Sequence, residues 1–155
     1  MKPSKAVSVL AVMVILIAAA AAQSKHCTPA GGVILTNLGV PDANSTMGYA
    51  TGDLKGAVGV TILSTEGTGN TLILHVQHHW VTESGDTLAL APATATTTQV
   101  APGLYAIVIY PFHLNGGTGK FAGASGDFTT SGEADLVNGR LVIRYTGQIC
   151  YAGGY

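Results

Sequence analysis

The stretch Gly132-Glu133-Ala134-Asp135-Leu136-Val137-Asn138-Gly139-Arg140-Leu141-Val142-Ile143-Arg144-Tyr145 reads as two strands joined at Asn138-Gly139. Asn-Gly between alternating runs is a strong hairpin signal, because both residues tolerate the positive φ of a tight reverse turn. After the turn, Leu141, Ile143, Tyr145 and Ile149 share one face, with Arg144, Gln148 and Cys150 opposite. An apolar face backed by a polar one at period two is a half-buried strand.

The same reading extends in both directions. Candidate strands cover residues 32–38, 55–64, 71–82, 87–99, 104–114, 120–129, 132–137 and 140–151. Between them lie turn formers such as Glu66-Gly67-Thr68-Gly69-Asn70, Ser84-Gly85-Asp86 and Ala101-Pro102-Gly103. No long stretch repeats apolar residues at helical spacing. Eight antiparallel strands with short connections fit one barrel or one sandwich. Val58, Val60 and Ile62 form one face of their strand, and Leu72, Leu74, Val76, His78 and Trp80 form the more apolar face of the next. Residues 104–114 do not alternate: Tyr105, Ile107 and Ile109 are apolar, and so are Ala106, Val108, Tyr110 and Phe112. A strand apolar on both faces is covered on both, which predicts a partner subunit or a second layer.

The chain has 155 residues, of which 10% are charged and 47% hydrophobic. A net charge of −1 excludes nucleic-acid binding through a basic patch. Part of the hydrophobic excess lies at the start. Lys2 and Lys5 precede an uncharged apolar run over residues 6–22 that ends Ala20-Ala21-Ala22. A basic start, an apolar middle and an Ala-x-Ala end are the parts of a secretory signal peptide. An uncleaved membrane anchor is the alternative. Residues 1–22 are thus expected to be removed, leaving residues 23–155 as a single barrel domain, secreted or periplasmic, with 5 basic and 8 acidic residues. No membrane association is expected after that cleavage. In an oxidising compartment Cys27 and Cys150 are expected to pair. Two buried free thiols are the alternative. A bond between them would bring the two ends of the domain together.

One segment carries a resemblance. Gly116-Gly117-Thr118-Gly119-Lys120-Phe121-Ala122-Gly123-Ala124-Ser125-Gly126-Asp127-Phe128 resembles the glycine-rich turn of the allene oxide cyclase and dirigent barrels, with Gly116, Gly117, Thr118, Gly119 and Phe121 in the motif positions. The resemblance implies an eight-stranded antiparallel β-barrel, allene oxide cyclase-like, with a cavity for a small lipid-like or phenolic molecule. It also implies a homo-oligomer, commonly a trimer, and chemistry without a cofactor. The chain carries Ala122 where the plant cyclase motif carries Glu. That departure places non-catalytic binding of a small apolar ligand ahead of a cofactor-free cyclase or isomerase.

The candidate ligand-facing residues are His78, Trp80, Tyr110, Asp127, Glu133 and Tyr145. Asp127 or Glu133 facing a cavity with a raised pKa would suit acid–base work. His75, His78 and His79 do not make a metal site: His75 and His79 share a face about 13 Å apart, and His78 points the other way. No metal is expected. The glycines at 116, 117 and 119 do not make a phosphate loop, since no Gly-Lys-Ser/Thr opens a helix after them. Asn44-Ser45-Thr46 is a glycosylation sequon, meaningful only in a eukaryotic secretory pathway.

Overall fold

Threonine, valine and isoleucine in short runs favour the pleated chain, and glycine punctuates it where the backbone must turn. In the computed structural model, which describes residues 25–153, the strands are β1 His26–Leu38, β2 Ser45–Ala50, β3 Gly56–Glu66, β4 Thr71–Thr82 and β5 Thr87–Leu90. They continue as β6 Ala93–Ala101, β7 Leu104–Ile109, β8 Phe112–Gly117, β9 Ser125–Asp135 and β10 Arg140–Tyr151. The sheet runs β10, β1, β2, β3, β4, and β4 then pairs with both β5 and β6. β5 pairs with β8 and β6 with β7; β7 and β8 both pair with β9, and β9 returns to β10. Pro92 separates β5 from β6, and Pro111 separates β7 from β8. Proline offers no N–H to the ladder, so each interrupts one strand without ending it. The result is a closed antiparallel barrel with eight strand positions.

Eight strands were expected and the ten observed ones fill eight positions, but the two sets do not match one for one. β2 was not among the predicted strands. The predicted strands at 120–129 and 132–137 are in fact one, β9, preceded by a short 3-10 turn over Gly119–Phe121. The expected gap at residues 130–131 is continuous strand, and Gly132 lies inside it. The glycine marks a close approach, since a Cβ there would stand 2.1 Å from the carbonyl oxygen of Val142. The connection from β9 to β10 is correspondingly longer than a two-residue turn. Asp135 pairs with Arg140 across it. The Asp135 carboxylate accepts from the N–H of Val137 and of Asn138 at 3.0 and 2.9 Å, and Gly139 supplies φ +65°.

The two-faced apolar run has a local cause. The register shifts between Thr96/Ile109 and Thr97/Ile107, which leaves Val108 as an extra residue. Such a bulge reverses which side chains point inward. Tyr105 and Ile107 face in before it, and Tyr110, Phe112 and Leu114 after it. Each half therefore alternates normally. No second layer covers Val108 or Ile109 among the described residues; they are 53% and 61% exposed.

One end of the barrel is filled by rings. Phe112 stacks on Phe128 with centroids 4.6 Å apart, and Trp80 stands edge-on to Tyr145 at 5.9 Å. Segment 51–54 closes this end. Trp80 Nε1–H donates to the Leu54 carbonyl at 2.8 Å. Tyr145 Oη accepts from the Leu54 N–H at 3.0 Å and donates to the Thr51 carbonyl at 2.8 Å. The segment lies this close only because residue 32 is glycine, as a Cβ there would be 2.0 Å from the Thr51 oxygen. The glycine-rich turn sits at the same end. Thr118 bonds Thr87 through backbone and side chain, and Gly119, at φ +53°, leaves no room for a Cβ beside the Asp86 carboxylate. Phe121 is wholly buried against Tyr151. The sulfurs of Cys27 and Cys150 are bonded. These residues stand directly opposite in the β1–β10 ladder, so the first and last strands are tied where they pair. The expected signal peptide lies outside the described residues.

Candidate functional site

Away from the aromatic floor, the inward side chains become small. β3 supplies Val58, Val60 and Ile62, β4 supplies Leu72, Leu74 and Val76, and β6 supplies Ala95 and Thr97. An eight-stranded barrel is just wide enough for its side chains to fill or to hold one small molecule. With these residues it is not filled, and a cavity of about 250 Å³ remains. Its rim includes Leu38, Thr65, Leu72, Leu136 and Leu141, all near strand ends at the side opposite the floor. Leu136 is 45% exposed there, so the cavity meets solvent at the rim.

The lining is aliphatic, threonine and aromatic, with no carboxylate, lysine or arginine among the described residues that form it. Its polar feature is a pair at the floor. Tyr110 Oη and His78 Nε2 are 2.6 Å apart, and the two rings stack at 5.6 Å. The Tyr110 carbonyl accepts from Thr130 Oγ1–H at 2.8 Å, which fixes the chain at the Pro111 interruption. Thr97 Oγ1–H donates to the Leu72 carbonyl. Among the described residues, Thr46 Oγ1 and His78 Nδ1 are buried without a hydrogen-bond partner.

Burial governs the protonation of the pair. Desolvation, with a smaller contribution from the neighbouring His79, lowers the His78 pKa to about 4. Burial raises the Tyr110 phenol well above its ordinary value. Both groups are therefore neutral near pH 7. A base whose pKa is depressed on folding favours the folded state fully above its unfolded value near 6.5. Below that the unfolded chain takes a proton that the folded chain refuses until about pH 4. His78 should thus cost roughly 3 kcal/mol of stability as pH falls from 7 to 4. Urea unfolding of the native protein and of His78→Phe at both pH values measures this contribution. Identical pH dependences in the two would contradict it.

The other candidate residues are placed as follows. Trp80 and Tyr145 belong to the floor, their polar atoms already engaged by segment 51–54. Asp127 and Glu133 stand on the outer face of β9 and are exposed, so neither faces the cavity. Asp127 is 2.6 Å from His113 Nδ1 on the adjacent strand. Their outward position follows from strand parity, since Phe128 and Ala134 beside them point in. His75 and His79 are also outward, each bonded to a threonine hydroxyl, while His78 points in. Thr46 is a cavity residue that sequence reasoning did not nominate. It lies on β2, where Thr46 and Ala50 are buried and the larger Met47 and Tyr49 face solvent. Strict alternation was present there, but with the bulky residues outside.

No family model matches the sequence, and a search of curated proteins finds no match. Among solved structures the chain is similar to the pterocarpan synthase dirigent protein GePTS1, with 13% identity, a TM-score of 0.37, and coverage of 85% of this chain and 88% of that one. It is also similar to the pterocarpan synthase dirigent protein PsPTS1, with 12% identity, a TM-score of 0.38, and coverage of 85% and 99%. The barrel described above rests on its own strand pairings.

Proposed function

We propose that the protein is an exported β-barrel that binds one small apolar molecule, lipid-like or phenolic, without converting it. The observation that carries this reading is the cavity itself: about 250 Å³, walled by aliphatic side chains and floored by packed rings. Apolar cavities of about 150 Å³ hold a benzene ring. A molecule of two fused rings, on the order of 10–15 heavy atoms, is the matching size. The Cys27–Cys150 bond fits an oxidising compartment and so supports export. A homo-oligomer, a trimer by the resemblance, is supported by an outward row on adjacent strands. Val142, Leu35, Tyr49, Ala57 and Val81 stand opposite one another in successive ladders, and Tyr49 is 56% exposed.

The alternative is a cofactor-free cyclase or isomerase. It is favoured by the His78–Tyr110 pair, because a neutral imidazole and a phenol in contact can pass a proton to and from a bound molecule. Binding ranks first because no carboxylate faces the cavity among the described residues.

Ala95→Trp tests the reading by filling the cavity from β6. The binding of 1-aminoanthracene, followed by its fluorescence, should weaken more than tenfold while circular dichroism stays that of the native barrel. Native mass spectrometry of the protein recovered from its host should report subunit number and a retained small molecule together. A probe that binds native and variant protein alike would sink the proposal.

A further inference from the structure

We propose that the molecule held in the cavity is a neutral carbonyl or ether compound that enters oxygen first and accepts a hydrogen bond from His78 at the floor. This rests on the ligand-binding reading and names the chemistry of the ligand. The neutral His78 ring can hold its proton on either nitrogen. If Tyr110 Oη–H donates to Nε2, the imidazole proton sits on Nδ1, and one donor is left without a partner. In the other tautomer Nε2–H donates to Tyr110 Oη. Then Nδ1 lacks a donor and the Tyr110 hydroxyl proton also lacks an acceptor. The first arrangement leaves fewer buried groups unpaired and is the cheaper one. His78 is 5% exposed, and Nδ1 is shielded from water, so solvent does not complete it.

An unpaired buried donor is a standing penalty, and an acceptor that reaches it removes that penalty on binding. The ring lines the cavity, and on binding it turns against Tyr110 so that the shielded Nδ1–H meets an oxygen there. The surroundings decide which oxygen. A carboxylate at the floor would be stripped of water with no lysine or arginine beside it. A ketone, ester, quinone or ether oxygen carries no such cost. The rim leucines Leu38, Leu72, Leu136 and Leu141 suit the apolar remainder of the molecule. The orientation is the reverse of an amphiphile that leaves its head at the mouth.

The test uses three probes on one skeleton: naphthalene, 2-acetylnaphthalene and 2-naphthoate, titrated calorimetrically into the purified protein at pH 7. The ketone should bind about tenfold more tightly than naphthalene, and the carboxylate more weakly than either. In His78→Phe the ketone's advantage should vanish while naphthalene binding persists. The ¹⁵N resonances of His78 in the native protein give an independent reading. Nδ1 should carry the proton and shift on addition of the ketone but not of naphthalene. Equal binding of ketone and hydrocarbon by the native protein would overturn this inference while leaving the cavity reading intact. Failure of every probe to bind would overturn both.

Discussion

Replacing Cys27 and Cys150 by serine together is expected to lower the unfolding free energy by roughly 4–5 kcal/mol. The bond spans a sequence separation of 123, nearly the whole of the described chain. In the folded barrel the two residues face one another across the β1–β10 ladder. The effect of the bond falls on the unfolded chain, whose ends it holds together and whose conformational freedom it cuts. Urea titrations of the native protein and the double serine variant, fitted for midpoint and slope, measure the difference. The slope should also rise in the variant, because an unfolded chain without the cross-link is more expanded. A loss of under about 1 kcal/mol would mean that the unfolded chain keeps its ends close without the bond.

The second large effect concerns the floor. Phe112→Ala should destabilise the barrel by about 3–5 kcal/mol. Phe112 is 1% exposed and touches four other rings: it stacks on Phe128, and lies 5.6 Å from His78 and 6.3 Å from both Trp80 and Tyr145. Truncation removes its burial and leaves a hole that the remaining rings, held by segment 51–54, are poorly free to close. Phe112→Leu, which keeps most of the volume, should cost less than half as much. Calorimetric unfolding of the two variants separates the cavity cost from any general weakness at this strand. If leucine and alanine destabilised equally, the stacking geometry rather than the filled volume would be responsible.

How legible the molecule was in its sequence varied strand by strand. β4 and β10 alternate throughout, and β3 as far as its irregularity at Ile62/Ser64, with large residues inside, so Val60, His78 and Tyr145 fall on the face that their sequence pattern predicts. β2 alternates as well, but its inner residues are Thr46, Gly48 and Ala50 and its outer ones are Met47 and Tyr49. A rule that sends bulk inward cannot find such a strand. The cause is functional geometry, since small inner residues are what leave space in a narrow barrel. The run through Val108 misled for a different reason, because a single extra residue exchanged the two faces halfway along. Asp127 and Glu133 were attractive as acids, yet their neighbours Phe128 and Ala134 occupy the inner positions and force them out. The His78–Tyr110 contact joins residues 32 apart on strands whose register no local pattern reveals.

The pairing of β1 with β10 also bears on when the barrel can form. A polypeptide made from its N-terminus presents β1 first and its partner last. Until Tyr151 has left the ribosome, one edge of β1 has no strand to bond, and the sheet lies open. Closure is therefore postponed to the completion of synthesis, and to release on the far side if the chain crosses a membrane unfolded. During that interval an apolar, edge-exposed intermediate must be kept from its own kind. Among the described residues the finished barrel leaves no sheet edge open, so that exposure is confined to the interval before β10 arrives.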